Sequence, residues 1–599
     1  MKDLLKFNHY FRKYKWTLVL GVVFLCIANL FLVWIPIFVR QTIDNIEEII
    51  ADTDREVQGV FETLFASEFG ITLALFAGYI TAAALIYGVL LFLTRQTLIV
   101  ASRKIEYDIR NTVFDHLQKL PQEYFSKNKS GDIYTRATED IVRLREYFGP
   151  AFMYMVNTLS RAGIIITIMV MVNPQLTMWA LLPLPFLTGF AYWVSGFIHK
   201  RSHAIQKQYA RLAGLVQEAY SSNRVIKAFN REDYEESRFD KENVIYRKEK
   251  LKLDLIESLF HPSLNFLIGF SIILVIWQGG MMEIAGAITV GNITEFVIYV
   301  TYLTWPVASL GYTLNLLQRS AASASRVLEL LSEPVFEDVA PDHAVQAPDE
   351  VKEISFENVS FTYPGAEVPA IENISFTARK GETIGIVGRT GSGKTTLVQL
   401  IPRLYDVDSG LIKINGIDIR KIPVDQLRQK IGYVPQDIFL FSDTIGQNIS
   451  FGRIEAGNNE IEQAADQAAL LENVQEFDQQ FETILGERGV TLSGGQKQRT
   501  SIARALIRKP EILILDDSLS AVDTNTENSI VHHLKNGLSE GIKVLISHRI
   551  SSIQNADKIY VMHNGKIVEQ GSHEQLLDQN GAYASMHRKQ MIEQELKQI

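Results

Sequence analysis

Leu492-Ser493-Gly494-Gly495-Gln496 stands downstream of the run Gly388-Arg389-Thr390-Gly391-Ser392-Gly393-Lys394-Thr395. The earlier run reads as a phosphate-binding loop in its required setting. Thr383-Ile384-Gly385-Ile386-Val387 is a β-type run feeding it, and Thr396-Leu397-Val398 opens a helix behind it. Glycines let backbone N–H groups turn inward around phosphates, and the helix N-terminus adds partial positive charge. Lys394 is expected to reach the β- and γ-phosphates, and the Thr395 hydroxyl to bind Mg²⁺. Glu511-Ile512-Leu513-Ile514-Leu515-Asp516-Asp517 has the pattern of a buried strand ending in two acids, with Asp516 placed to hold the Mg²⁺ shell. A loop of this kind alone says only that a nucleoside triphosphate is bound.

At 599 residues the chain is too long for one ordinary core, so two or more domains are expected. All six tryptophans (Trp16, Trp34, Trp179, Trp193, Trp277 and Trp305) fall in the first 305 residues, together with the long apolar runs. A bilayer core needs roughly 20 apolar residues of helix. Six stretches qualify: about 16–38, 71–94, 151–172, 176–198, 258–282 and 293–317. Asn173-Pro174-Gln175 is a tight turn between the third and fourth. Buried helices of a large soluble protein are the alternative, but tryptophans near several ends form the aromatic belt of membrane spans. The run from Trp16 to Phe38 is too long for a signal-peptide core and lacks a small-residue cleavage site. Cys26 is the only cysteine, which excludes a disulfide framework and a thiol-based metal site. The net charge of −9 does not suggest a nucleic-acid partner.

Lysine and arginine set the expected orientation. Lys2, Lys6, Arg12, Lys13 and Lys15 precede the first span, and segments 95–147 and 199–252 are basic. Segment 41–70 has Arg55 as its only basic residue, and 280–292 has none. Both termini are therefore expected in the cytoplasm. Ile105, Ile109, Val113, Leu117 and Leu120 recur at helical spacing, so the membrane helices should continue beyond the bilayer. Turnarounds are legible at Tyr124–Asp132 and Tyr220–Phe229. Residues 333–350 are acidic, proline-containing and aperiodic, as in a linker. The expected organisation is a membrane domain over 1–332, this linker, and a nucleotide-binding domain over 351–599.

With Leu492–Gln496, the phosphate loop and the acid-ending strand together, the chain resembles the ATP-binding cassette (ABC) family along nearly its whole length. The order of parts resembles an exporter-type half-transporter: an all-α six-helix transmembrane domain followed by an α/β P-loop cassette. The resemblance implies ATP and Mg²⁺ as ligands and assigns further roles. Tyr363 would stack on adenine, although an ordinary strand tyrosine would also suit Phe361-Thr362-Tyr363. Gln436 would sense Mg²⁺ and contact the coupling helices. His548 would be the switch histidine at the γ-phosphate, where a structural histidine is the plain alternative. The two turnarounds would be coupling helices; a solvated, charged helix pair is the other reading. Ser493, Gly494, Gly495 and Gln496 would cap the γ-phosphate held by a second cassette, so the resemblance implies a dimer.

Asp517 departs from the family pattern, which has glutamate there. It keeps the carboxylate but is one methylene shorter, drawing it back by roughly 1.5 Å on ordinary bond geometry. Misplacement on the order of 1 Å can cost about 100-fold in rate. ATP should bind and be cleaved slowly. The economical expectation is a heterodimer resembling bacterial multidrug exporters, with this chain holding the slow site; His548, sometimes lost in such halves, leaves a slow homodimer as the alternative.

The expected action is export of amphipathic small molecules, with lipid or lipid-linked molecules second, across a bacterial inner or plasma membrane. A channel or regulator of the same family is the remote alternative; such a channel would carry a long phosphorylatable insert, and none is visible in the sequence. Arg161 near mid-span would meet an anionic head group, pair with a carboxylate or snorkel within the bundle. Asn29 and Asn157 would line a cavity or hold helices together. Met153, Met155, Phe266, Phe270 and Tyr299 would form an adaptable apolar pocket or face lipid.

Overall fold

In a hydrocarbon core every backbone polar group must bond internally, so the apolar runs of the first half fold as helices. The computed structural model describes residues 2–52, 68–340, 343–520, 522–537 and 540–598. It divides into one unit of Met1–Gln118 with Ser130–Glu333 and another of Lys119–Lys129 with Pro334–Ile599.

The principal helices of the first unit are Lys15–Asp52, Glu68–Thr94, Val100–Lys119, Phe152–Val172, Leu184–Ser221, Glu232–Ile284 and Val290–Ser332. Among the described residues, five are long and apolar enough to cross a membrane: 15–47, 70–119, 130–172, 265–284 and 290–332. The further expected span, 176–198, falls on Pro174–Leu181 and Leu184–Ser221, where several side chains lie outside the described residues. Arg55 also lies outside them. The expected tight turn is present: Asn173 caps the Pro174–Leu181 helix, its Oδ1 accepting from Leu176 N–H at 2.9 Å.

Val33, Ile165, Met169, Val275, Phe296 and Tyr299 form a buried cluster among these helices. Polar pins cross it. Asn29, buried, donates from Nδ2 to Asn157 Oδ1 at 3.0 Å and to Ser160 Oγ at 2.8 Å. These two asparagines therefore hold helices together. Arg40 and Glu295 form an ion pair at 3.0 Å, and Tyr299 OH donates to the same carboxylate at 2.9 Å. The five residues read as an apolar pocket or a lipid-facing set divide between two environments. Met153 and Tyr299 are core, whereas Met155, Phe266 and Phe270 are exposed.

Of the first turnaround, residues 124–129 group with the second unit and 130–132 with the first. The turnaround forms the short helix Gln122–Lys127, with Ser126 Oγ 3.1 Å from Tyr405 OH and Phe336 N–H donating to Lys119 O at 2.8 Å. The second turnaround forms Asn223–Ala228 in the first unit and leaves Tyr220, Val225 and Phe229 exposed.

The second unit contains two sheets. The strands are β1 (Glu353–Phe361), β2 (Ile371–Arg379), β3 (Thr383–Gly388), β4 (Ser409–Ile414), β5 (Ile417–Asp418), β6 (Ile431–Val434), β7 (Ile512–Asp516), β8 (Ile542–Ile546), β9 (Lys558–His563) and β10 (Lys566–Gly571). One sheet runs β2-β1-β4-β5 and the other β10-β9-β3-β8-β7-β6. In the larger sheet β3, β6, β7, β8 and β9 are parallel, and only β10 runs against its neighbour. β3 and β7 flank β8, so their carboxyl ends emerge along one edge, where ligands of open α/β sheets bind. The phosphate loop, Asp516-Asp517 and Ser547-His548 all leave the sheet there.

Candidate functional site

The loop after β3 reaches the helix Lys394–Gln399 through Gly391 and Gly393, at φ of +79° and +96°. A side chain at 393 would run into the Ala370 carbonyl, so glycine is required there for space as well as conformation. Lys394 is buried, and its Nζ donates to the carbonyls of Gly388 and Arg389 at 2.9 Å each. Burial pushes the ammonium below the usual lysine value, while Asp517 and Asp516 pull it back up. The loop thus presents a partly desolvated cation at a helix start, which favours an anionic ligand.

Thr395 Oγ1 donates to Asp516 Oδ1 at 3.2 Å, joining the loop to the end of β7. Asp516 is fully buried, and its Oδ2 has no hydrogen-bond partner. Burial pushes its carboxyl up to about 6, with Asp517 and Asp437 adding, and the Thr395 hydroxyl and Lys394 opposing. An orphaned carboxylate oxygen next to a threonine hydroxyl suits a hard divalent cation. No cluster of three or more His, Cys, Asp or Glu side chains suited to a metal occurs among the described residues, so such a cation would complete its shell with phosphate and water.

A cavity of about 260 Å³ lies over this loop. Its lining unites Thr390, Gly391, Gly393, Lys394, Thr395 and Thr396 with Tyr363, Gln436, Asp516, Asp517 and His548. Gly388, Arg389 and Ser392 belong to the same loop without lining the space. Tyr363 follows β1; its OH is 3.0 Å from Thr396 Oγ1, and its ring packs edge-on against Phe361 and Tyr405. Burial raises its phenol above the ordinary value.

Asp517 adopts φ +48°, a left-handed conformation that aspartate tolerates better than most residues. Its Oδ1 accepts from the His548 N–H at 3.4 Å, so both residues are tied to one corner. Gln590, on the helix Ala582–Gln598, grips that corner from behind. Its Nε2 donates to the His548 carbonyl, and its Oε1 accepts from Ile550 N–H at 2.9 Å.

Ser493, Gly494, Gly495 and Gln496 stand apart from the cavity. Ser493 caps the helix Gly494–Leu506 in a reciprocal box: Gln496 N–H donates to Ser493 Oγ at 3.3 Å, and Ser493 N–H to Gln496 Oε1 at 2.9 Å. Ser493 and Gly494 are exposed. This capped, exposed helix start has the oriented amides typical of anion-binding helix N-termini.

Three participants escaped sequence reasoning. Ala370 lines the cavity with its carbonyl beneath the loop, Asp437 acts through its charge on Asp516, and Gln590 acts through the backbone at 548. Asp437, next to Gln436, was open to inference; the other two carry no local signal.

Comparison with known proteins gives a consistent result. Residues 18–307 match the family described as ABC transporter transmembrane region, and residues 371–520 the family described as ABC transporter. The chain is 34% identical over 595 residues to the multidrug resistance-like ATP-binding protein MdlA of Escherichia coli, covering 99% of this chain and 97% of that protein. It is 36% identical over 532 residues to a probable multidrug resistance ABC transporter ATP-binding/permease protein, YheI, of Bacillus subtilis, covering 86% and 90%. Identity to an ATP-dependent lipid A-core flippase of Vibrio vulnificus is 32% over 516 residues, covering 85% and 87%. Among solved structures, a bacterial Atm1-family ABC exporter with ATP bound superposes with a TM-score of 0.76 at 25% identity, covering 97% of this chain and 99% of that one.

Proposed function

The chain belongs to the ABC transporter family, an exporter-type membrane domain joined to an ATPase that drives transport, and on that footing we propose that it exports amphipathic small molecules as the slow-site half of a heterodimer. The membrane domain places it in a lipid bilayer. Dimerisation is the general rule for exporter halves.

The observation that carries the assembly is the separation of Ser493 and its helix start from the cavity over Lys394. The two parts of an ATP site belong to two chains. In this reading ATP lies along the phosphate loop, with its base at Tyr363 and its γ-phosphate facing Gln436, Asp517 and His548. Mg²⁺, held by Thr395, Asp516 and Gln436, would neutralise charge on the phosphates. The exposed Tyr220, Val225 and Phe229 support a docking role for the second turnaround against the partner's cassette. The basic segments support cytoplasmic termini.

Unequal subunits follow from Asp517. Its short carboxylate, already engaged at the His548 N–H, is poorly placed to orient water, whereas this chain's Ser493 loop is intact and suited to complete a fast site elsewhere. A lipid substrate is the second reading, favoured by the similarity to a lipid A-core flippase. The test is ATPase activity of the purified chain alone and with a second half-transporter that carries glutamate where this chain has Asp517. Fast turnover only in the pair is expected. Equal turnover by this chain alone overturns the heterodimer.

A further inference from the structure

Arg161 carries a charge that its surroundings leave unanswered. It lies near the middle of Phe152–Val172, with roughly 15 Å of helix on either side at about 1.5 Å per residue. A guanidinium stays protonated in proteins, so it cannot shed its charge as a buried lysine can. Charged side chains at such depth are rare and face a bundle interior or a cavity.

The guanidinium sits over the ring of Tyr302 on the helix Val290–Ser332, 5.7 Å from the centroid. Tyr302 is itself remote from the ends of its helix, so Arg161 has not snorkelled to a membrane surface. It forms no hydrogen bond or ion pair with any described residue, and its Nε is buried without a partner. The neighbouring polar groups are committed elsewhere. Asn157 Oδ1 and Ser160 Oγ both receive Asn29 Nδ2, and Thr158 Oγ1 pairs with Ser309 Oγ at 2.8 Å. An aromatic face offsets part of a buried cation's desolvation but does not replace an anion. Arg161 is only half-buried, which leaves its outer nitrogens room for one.

We infer that Arg161, backed by Tyr302, receives the acidic group of the transported molecule, so that the substrates are amphiphiles bearing a carboxylate, sulfate or phosphate on an apolar body. Arginine's planar fork suits such groups in two-point contact. The inference rests on the exporter reading above and narrows its substrate class.

The test uses the full-length protein with the second half it requires, in vesicles of phosphatidylcholine alone so that no anionic lipid competes. Two fluorescent probes share one dansylated alkyl chain, one ending in a carboxylate and the other in trimethylammonium. ATP-dependent probe movement and the half-maximal concentration for ATPase stimulation are read for both. The unaltered protein should respond to the anion at a concentration at least about tenfold lower. Arg161→Gln should abolish that preference, and Arg161→Lys should keep only part of it. If Arg161→Gln does not assemble, Tyr302→Leu, which removes the backing ring and keeps the charge, should weaken the anion response selectively.

Equal responses in the unaltered protein overturn the inference. So does a variant that loses both responses together, because Arg161 would then hold helices or meet a carboxylate of the second subunit. Movement of the cation alone leaves the exporter reading standing and removes this one. Movement of neither probe while ATP is hydrolysed removes the amphiphile-export reading, and this inference with it.

Discussion

Thr395 Oγ1 donates to Asp516 Oδ1 across 3.2 Å, and this contact leaves the other carboxylate oxygen of Asp516 buried and unbonded. Burial raises the Asp516 carboxyl to about 6, above its ordinary value of 3.8. Because the folded value is the higher one, protonation favours the nucleotide-free fold, and that contribution fades as pH rises through about 6. A cation needs the charged form. Mg²⁺-dependent ATP binding should therefore weaken as pH falls from 7 to 5, measured by titration calorimetry. Asp516→Asn should raise the melting temperature of the nucleotide-free protein at pH 7.5 and abolish the Mg²⁺ dependence. A pH-independent Mg²⁺ affinity would contradict the assignment.

Asp517→Glu lengthens the carboxylate toward the position that orients water. Single-turnover cleavage at this chain's own loop should rise by about 100-fold, and Asp517→Asn should leave turnover of the pair nearly unchanged. Abolished turnover in the Asn variant would mean that Asp517 serves the fast site.

Ser493 caps its helix, and in the proposed assembly it also donates to the partner's nucleotide. Ser493→Ala should destabilise the helix start by about 1 kcal/mol and cut steady-state turnover of the heterodimer by at least about 100-fold, the scale for losing one oriented donor. Lys394→Ala in the same chain should instead weaken ATP binding and leave most of the turnover. Paired variants, assayed for photolabelling and ATPase activity, separate the two. Equal losses in both assays would place both residues at one site.

Asn29→Ala removes the donor shared by Asn157 and Ser160. Cross-helix hydrogen bonds in membranes contribute about 1 kcal/mol, so the denaturation midpoint in mixed micelles should fall modestly without loss of ATP binding. An unchanged midpoint would show that the pin is dispensable.

Much of the site was legible because its parts depend on short-range grammar. Strand, glycine loop and helix must follow in order around a phosphate, and β3 with Lys394–Gln399 does so. That Asp516 and His548 converge with the loop on one cavity depends on the order β3-β8-β7, which no local pattern specifies. The membrane half was less readable. In lipid both the packed and the outward faces of a helix are apolar, so periodicity does not say that Tyr299 is core and Phe266 exposed. The shared donor of Asn29 and the isolation of Arg161 are likewise set by neighbouring helices. Gln590 escaped notice because its partners are backbone atoms at 548 and 550, and backbone leaves no trace in side-chain identity.

That last contact has a practical reach. A fusion tag, a clipped tail or a bound protein that shifts the Ala582–Gln598 segment would be transmitted to His548, which the proposed function sets at the γ-phosphate. Catalytic constants measured on carboxyl-tagged material would then describe the appendage together with the motor, and the cell would have a handle on pump speed in the chain's last helix.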